Sequence, residues 1–442
     1  MEEARAMKRV YLSSPNVTCN DGSPAGFYLR RSHGSRRWVV FLEGGWYCYD
    51  QPSCHSRWQR LRHLMTSRHW PETRSAGGIL SMNPEENAFW WNANHVLVPY
   101  CTSDSWSGTR AESNGEVPFS FMGAAVVRQV VEDLLPLGLR NASLLLLAGS
   151  SAGGTGVMVN LDPVADLLNT AYGLSHITVR GVSDSGWFLD RTPYSKDGNS
   201  LAPLDAIKKG IGLWQGKSYN ESVLAATQIC DRVLNSFSTN SPSTHFVVVT
   251  PTQASKMFYR VDNTIQHKTL QQNRAVFAPS CISHSVLTKN DWQSIKIDEI
   301  SLPQALRCWE MSHPRHNGTV PTDGPLALKV GRHMVRSGDG TTVVPPLRRR
   351  KGKKKKGVNA RVHRDLVRCP HHLIERCSWP QCNHSCPRLT NPFTGQEMDF
   401  IELLKSFGLD MMSVANALGI DIHTLNNMDH EELLNLLTQR AK

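Results

Sequence analysis

The sequence predicts an α/β fold in which a mainly parallel sheet is flanked by helices. Five short runs are apolar at every position or nearly so, which is typical of parallel strands buried on both faces of a sheet. Each run ends at a glycine-rich or polar turn; the runs are 38–42, 95–100, 144–148, 177–182 and 246–249. Between two of them, Phe121 to Leu135 has apolar side chains at three- and four-residue spacing, which predicts an amphipathic helix. Strands that alternate with helices predict a parallel sheet.

Most of the positive charge lies in one short tract. The chain has 442 residues, a formal net charge of +11 and 40% hydrophobic residues. Residues 348–356 read RRRKGKKKK and carry eight of those charges, which leaves +3 for the rest of the chain. The hydrophobic content excludes a wholly disordered chain. Because the body of the protein is nearly neutral, we expect no nucleic-acid partner.

The cysteines and sequons predict a secreted protein. Eleven cysteines are many for a cytosolic chain unless they bind metal, whereas oxidising compartments favour disulfides. Five N-x-[ST] sequons agree with this, at Asn16, Asn141, Asn220, Asn317 and Asn383. Residues 1–10 lack the apolar core of a signal peptide, and no stretch has 18 uninterrupted apolar residues. We therefore expect a secreted, extracellular protein without a transmembrane segment, whose leader precedes this start.

The motif G-x-S-x-G occurs at residues 149–153, with Ser151 at its centre. It follows an apolar strand directly and opens into a glycine-rich, apolar segment. This strand–elbow–helix context is typical of α/β hydrolases, where the sharp turn lifts the serine Oγ out of the sheet. The motif predicts Ser151 as a nucleophile and the N–H of Ala152 as an oxyanion donor; a plain glycine-rich turn is the alternative.

A second glycine motif, Glu43-Gly44-Gly45-Trp46, follows an early strand. In α/β hydrolases the loop at this place donates a backbone N–H to the oxyanion hole, so Gly45 and Trp46 are candidate donors. A serine nucleophile also needs a histidine downstream in the chain. Of the eighteen histidines we select His284, because its compact loop, flanked by proline and cysteine, suits a rigidly held base.

Longer stretches resemble the Notum branch of the pectin-acetylesterase family; they are VTCNDGSPAG, FLEGGWYC, WWNANHVLVPYC, LLLLAGSSAGGTGV, DSGWFLD, APSCISH, CSWPQCNHSC and NPFTGQEM. The resemblance covers most of the chain from about Asn16 to Met398. It implies an α/β-hydrolase-like, secreted carboxylesterase that removes palmitoleate from Wnt proteins and so damps Wnt signalling. It implies the same nucleophile, base and oxyanion donors as the motifs above, and neither metal nor cofactor. The family's acyl pocket carries over to Trp46, Tyr47, Phe188 and Ile207.

The triad acid is where this sequence departs from the family. The family's aspartate follows the strand that corresponds to 246–249, and its place here falls within Gln253 to Ser255, where no residue is acidic. Asp184, at the end of the preceding strand, and Asp262 are the candidates. The acid orients the histidine, and its removal lowers the rate on the order of 10⁴-fold. Two hypotheses follow: an esterase with a relocated acid, and a weakened or inactive homologue that acts by binding Wnt-pathway proteins or glycans.

The domain organisation follows from composition. We expect an N-terminal extension at residues 1–15 and a single α/β-hydrolase-like domain at 16–442. Within that domain, we expect a lid-like region at 195–245, a basic loop at 345–360 and a cysteine cluster at 369–386. Short amphipathic stretches after Phe393 predict C-terminal helices.

Ten cysteines are expected to form disulfides, with Cys230 left unpaired. The expected bridges are Cys48–Cys54, Cys19–Cys101 and Cys281–Cys308, while the last four cysteines permit three pairings among themselves. The alternative is a zinc site, but the spacings fit the usual ligand pairs poorly, so disulfides are favoured. The ligands of that alternative are Cys369, His371, His372, Cys377, Cys382, His384 and Cys386.

The basic tract has three interpretations: a sulfated-glycan site, a solvated loop and a nuclear-import signal. The family is associated with cell-surface heparan sulfate and glypicans, which favours the first two over the third. The residues of the glycan site are Arg348, Arg349, Arg350, Lys351, Lys353, Lys354, Lys355 and Lys356.

Overall fold

A mainly parallel sheet forms the centre of the part of the chain that the structure describes. The computed structural model describes residues 6–111, 117–186, 201, 203–214, 244–248, 275–281, 283–312, 372–375, 383–386, 412, 415 and 419–428. All of them belong to one compact unit of the chain, Met1–His313 with Pro370–Lys442. Several predicted features lie outside these residues: Phe188, Cys230, Gln253–Ser255, Asp262, most of the lid-like region and the basic loop.

The main sheet has the strand order β12-β9-β8-β7-β6-β3-β5-β2-β1-β4. Its strands are β1 Met7–Tyr11, β2 Gly26–Arg30, β3 Arg37–Leu42, β4 Thr73–Arg74, β5 Asn94–Val98, β6 Leu144–Ser150, β7 Thr178–Asp184, β8 Thr244–Val248, β9 Ala275–Ala278 and β12 His372–Ile374. Neighbours from β5 to β12 are parallel, whereas β2, β1 and β4 continue the sheet antiparallel. The α/β prediction is confirmed, and the five predicted runs correspond to β3, β5, β6, β7 and β8. Strand β1 lies inside the predicted N-terminal extension, so residues 7–11 are part of the sheet.

The described helices lie mostly between strands. They are α1 Gln51–Arg60, α2 Gly123–Leu134, α3 Ala152–Asp166, α4 Pro203–Trp214, α5 Leu302–Ser312 and α6 Ile422–Asn427, and a two-stranded hairpin of β10 Lys296–Ile297 and β11 Ile300–Ser301 precedes α5. Helix α2 confirms the predicted amphipathic segment. Within the described part of the chain, no helix has the length and apolar character needed to cross a membrane.

Side chains of the central strands alternate between two cores, one on each face of the sheet. In β3, Trp38, Val40 and Leu42 belong to the core that includes α2 and α3. Val39 and Phe41 belong to the opposite core, together with residues of α5. Because both faces are buried, β3 is apolar at every position from Trp38 to Leu42, which is the pattern that made it recognisable in the sequence.

Three disulfides join described cysteines. Cys19–Cys101 and Cys48–Cys54 confirm two predicted bridges. The predicted Cys281–Cys308 bridge is wrong, because Cys281 pairs with Cys386. Parallel pairing of β12 with β9 brings the last cysteine close to Cys281, although 105 residues separate them in the chain. Cys308 is also disulfide-bonded. The four C-terminal cysteines therefore do not pair only among themselves.

Candidate active site

Ser151 lies at a sharp turn between β6 and α3. Its backbone has φ +58° and ψ −125°, a region that non-glycine residues rarely adopt. The turn needs glycine on both sides: a Cβ at Gly149 would lie 2.3 Å from the carbonyl oxygen of Gly153, and one at Gly153 would lie 2.0 Å from that of Leu42. The G-x-S-x-G segment therefore has the backbone geometry of a nucleophile elbow.

The glycine loop after β3 lies directly against Ser151, the predicted nucleophile. A Cβ placed on Gly44 would lie 2.7 Å from the Cβ of Ser151 and 3.4 Å from its Oγ. Gly45 and Trp46 follow with φ of +150° and +60°. Ala152 is the first residue of α3, whose positive N-terminal end also meets the serine. The three predicted oxyanion donors thus belong to the two segments that meet at Ser151.

Glu43, at the base of this loop, is fixed from three sides. Its carboxylate forms a two-pronged salt bridge with Arg74, with N–O distances of 2.6 and 3.1 Å. Its carbonyl oxygen accepts a hydrogen bond from the indole of Trp106 at 3.0 Å, and its N–H donates to Val98. Neither Arg74 nor Trp106 belongs to a recognisable sequence motif, so their contacts with Glu43 are not predictable from the sequence.

A buried aspartate organises the loop that carries Trp106. Asp104 has no exposed surface and accepts hydrogen bonds from the Thr102 hydroxyl and from the N–H groups of Trp106, Gly108 and Gly123. Burial raises the pKa of Asp104 to about 6, although these hydrogen bonds oppose the rise. Since Gly123 is the first residue of α2, the aspartate joins this loop to the helix. The sequence offers one indication of this role: Asp104 follows strand β5, and polar residues after a parallel strand lie at the carboxyl edge of the sheet.

His284 lies in the loop after β9, and its side chain is exposed. Desolvation by the surrounding protein lowers the pKa of His284; the negative charge of Asp184 opposes this, and the positive charge of Lys289 adds to it. This lowered pKa favours the neutral imidazole, which is the state a general base needs.

Asp184, the last residue of β7, is fully buried. Its carboxylate accepts hydrogen bonds from the hydroxyls of Ser150 at 2.6 Å and Ser185 at 2.8 Å, and from the N–H of Leu287 at 3.0 Å. In the described part of the chain, no carboxylate is hydrogen-bonded to His284. The other acid candidate and the family position of the acid lie outside that part.

An apolar wall adjoins the glycine loop. Trp46 stacks on Tyr47 with ring centroids 4.8 Å apart, and Tyr47 meets Trp214 edge-on at 5.7 Å. Ile207 of α4 is buried in the same cluster as Tyr47 and Trp214. Trp46 remains 48% exposed, so the wall is open to solvent on the side of the loop. Of the predicted acyl-pocket residues, Trp46 thus stacks on Tyr47, and Tyr47 shares a buried cluster with Ile207.

The zinc interpretation of the C-terminal cysteines fails at Cys386. Its sulfur is bonded to Cys281, so it has no thiolate to offer a metal. Among the described residues, no group of histidine, cysteine or acidic side chains is arranged to hold a metal ion.

An elbow serine at the end of a central strand, covered by a glycine loop and accompanied by a histidine loop, defines a serine ester hydrolase of the α/β-hydrolase-like class. Residues 2–208 match the pectinacetylesterase family model. Over its whole length the chain is 39% identical to the palmitoleoyl-protein carboxylesterase NOTUM of Drosophila melanogaster, covering 88% of that protein. It is 38% identical to the NOTUM carboxylesterase of Homo sapiens, with 94% of this chain and 80% of the relative covered.

A solved structure supports the same relationship. The Wnt deacylase Notum from Drosophila matches with a TM-score of 0.66 and 43% identity, over 87% of this chain and all of the Drosophila chain. The chain belongs to the Notum branch of the pectinacetylesterase family.

Proposed function

We propose that this carboxylesterase acts outside the cell and hydrolyses the palmitoleate ester of Wnt proteins. The observation that carries the proposal is the contact of Gly44 with Ser151, which sets an oxyanion loop against an elbow serine. The names of the relatives, palmitoleoyl-protein carboxylesterase and Wnt deacylase, supply the substrate. The apolar wall of Trp46, Tyr47 and Ile207 suits a fatty-acyl chain, because it removes hydrocarbon from water.

In the first half-reaction, Ser151 Oγ attacks the ester carbonyl carbon while His284 accepts its proton. The oxyanion that forms accepts hydrogen bonds from the N–H groups of Gly45, Trp46 and Ala152, each worth about 3 kcal/mol. The C–O bond to the substrate serine then breaks, and that serine takes the proton from His284. Palmitoleate remains esterified to Ser151.

In the second half-reaction, water attacks the acyl-enzyme and gives a proton to His284. The second tetrahedral intermediate uses the same oxyanion donors. Its collapse releases palmitoleic acid, and the proton returns from His284 to Ser151 Oγ. No metal or cofactor is required by this sequence of steps.

A fluorophosphonate probe tests whether Ser151 is activated. We expect the native chain to be labelled, Ser151→Ala to remain unlabelled, and the surface control Ser294→Ala to be labelled normally. Ser151→Ala should also lower turnover of p-nitrophenyl octanoate and of a palmitoleoylated Wnt peptide on the order of 10³-fold or more. If Ser151→Ala inhibits Wnt signalling as well as the native chain does, the protein acts by binding and the proposal is wrong.

We further propose that the tract 348–356 binds sulfated glycans such as heparan sulfate and the chains of glypicans. Eight positive charges in nine residues provide a strong field for a polyanion. Deleting 348–356 should lower the salt concentration at which the protein elutes from heparin. Unchanged elution would exclude this role for the tract.

A further inference from the structure

The carboxyl ends of β6 and β7 lie side by side, and Asp184 binds both residues of the elbow. Ser150 of β6 is opposite Asp184 of β7 in the sheet register. The main-chain oxygen of Asp184 accepts the N–H of Ser151 at 2.9 Å, and its carboxylate accepts the hydroxyl of Ser150 at 2.6 Å. Asp184 therefore holds the serine turn through both main chain and side chain.

The same residue also holds the histidine loop. The N–H of Leu287, three residues after His284, donates to the carboxylate oxygen that Ser150 also binds. The other carboxylate oxygen accepts the hydroxyl of Ser185, and Ser185 Oγ in turn accepts the N–H of Ser285 at 3.2 Å. Ser285 has φ +60°, so these contacts fix a turn that a free chain would rarely adopt.

The negative charge of Asp184 has a second effect, on the protonation of His284. Among the described residues, two charged groups act on His284: Asp184 from β7 favours the protonated ring, and Lys289 from the histidine loop disfavours it. Lys289 itself faces Asp184 and Asp291. Because the hydrogen-bond donors to Asp184 are neutral hydroxyl and N–H groups, its charge is not neutralised by a direct ion pair among the described residues.

We propose that Asp184 is a positioning residue: one buried carboxylate sets the nucleophile elbow and the histidine loop in register. This rests on the proposed roles of Ser151 and His284. Asp184 is thereby distinguished from a triad acid, which would accept a hydrogen bond from the imidazole itself. One carboxylate oxygen accepts instead from the elbow and from the backbone of the histidine loop, and the other accepts from the hydroxyl of the neighbouring Ser185.

The variants Asp184→Asn, Asp184→Glu and Ser150→Ala separate geometry from charge, with the exposed Asp166→Asn as the matched control. For Asp184→Asn we expect kcat on p-nitrophenyl octanoate to fall about 100-fold with little change in KM, since a misplacement near 1 Å costs that much. The acid limb of the kcat/KM profile should move to lower pH, because the charge that favours protonated His284 is gone. Asp184→Glu should lower kcat while the acid limb stays in place. Ser150→Ala should lower kcat several-fold, also without moving that limb, and Asp166→Asn should behave as the native chain.

A native kcat and an unmoved acid limb in folded Asp184→Asn would overturn the proposal. A loss of kcat near 10⁴-fold in Asp184→Asn, together with a native kcat in Ser150→Ala, would also overturn it, because that pattern is expected of a triad acid. If Asp184→Asn does not fold, the variants Asp184→Glu and Ser150→Ala test the proposal in its place. Native kcat values in both of them would overturn the proposal. Fluorophosphonate labelling of the native chain separates the two failures: an unlabelled native chain refutes the proposed function, whereas a labelled one with unaffected Asp184 variants refutes only the role of Asp184.

Discussion

Gly44 faces Ser151 so closely that a Cβ on Gly44 would lie 2.7 Å from the Cβ of Ser151 and 2.6 Å from the carbonyl oxygen of Ser150. Neither neighbour is the flexible end of a long side chain, so an added methyl group would displace the loop after β3 from the elbow. The proposed oxyanion donors Gly45 and Trp46 would move with the loop, because they follow Gly44 directly.

Gly44→Ala should therefore lower kcat about 100-fold or more, as expected when oxyanion donors are lost. The melting temperature should change much less than the activity, because the loop is at the surface of the site. The control is Gly212→Ala, at an exposed position of α4 where a Cβ meets nothing within 4 Å. Native activity in Gly44→Ala would mean that the loop supplies no donor.

The Glu43–Arg74 salt bridge is expected to matter for rate more than for stability. Both side chains are partly exposed, at 25% and 34%, so the pair contributes no more than about 1 kcal/mol to folding. It nevertheless anchors the first residue of the oxyanion loop. Arg74→Met should lower kcat about 3- to 10-fold while KM stays nearly constant, the pattern of an interaction that counts mainly in the transition state.

The matched control for that prediction is Arg68→Met, which breaks the ion pair of the exposed Arg68 with the partly buried Asp21, a pair that does not involve Glu43. The free energies of unfolding of the two variants, measured in urea, should agree within about 1 kcal/mol. Equal kcat values for the two would show that the oxyanion loop holds its shape without Arg74.

Asp104→Asn should destabilise the protein. Four donors point at the Asp104 carboxylate, three of them N–H groups, and the amide of asparagine would present its own donor to at least one of them. A buried donor left without an acceptor costs about 1–3 kcal/mol, and the melting temperature should fall accordingly. Turnover should fall as well, because Trp106 would no longer hold Glu43. A variant as stable and active as Asp166→Asn would contradict this account.

Lys289 should lower the pH at which the enzyme loses activity on acidification, adding to the larger effect of desolvation at His284. Its positive charge lowers the pKa of His284, so Lys289→Met should raise that pKa and move the acid limb of the kcat/KM profile to higher pH. This shift is opposite in sign to the one expected for Asp184→Asn. Lys208→Met, at an exposed site on α4, should leave the limb unchanged. A limb that moves downward in Lys289→Met would show that another group controls His284.

Sequence reasoning predicted the parts of the site whose chemistry is local. The elbow at Ser151 and the glycine loop at Gly44 are short segments in which residue type dictates backbone shape, and the strand β3 is apolar because it is buried on both faces. From the sequence, Asp184 is a candidate for the triad acid and not for a positioning residue. The positioning role is not predictable, because a hydrogen bond between a side chain and an N–H far away in the chain leaves no pattern in the sequence. The contact with Leu287 spans 103 residues of chain.

The Cys281–Cys386 bridge illustrates the same limit and leads to a further prediction. Cys281 is three residues before His284, and the bridge ties this segment to the C-terminal part of the chain, next to the hydrogen bonds of Ser280 with Glu375 and Asn383. Its pairing depends on strand β12 joining β9, a long-range contact that the spacing of the cysteines does not predict.

Replacing both Cys281 and Cys386 by alanine should lower the free energy of unfolding by about 2–5 kcal/mol. It should also lower kcat, because the start of the histidine loop loses its covalent anchor.

Urea unfolding and p-nitrophenyl octanoate turnover check both effects. The control is the double alanine variant at Cys48 and Cys54, whose loop closes only six residues. Loop-closure entropy predicts a smaller loss of stability there than for a separation of 105 residues. If removing the Cys281–Cys386 bridge left kcat unchanged while stability fell as expected, the hydrogen bonds of Asp184 and Ser185 alone would be sufficient to hold His284 in place.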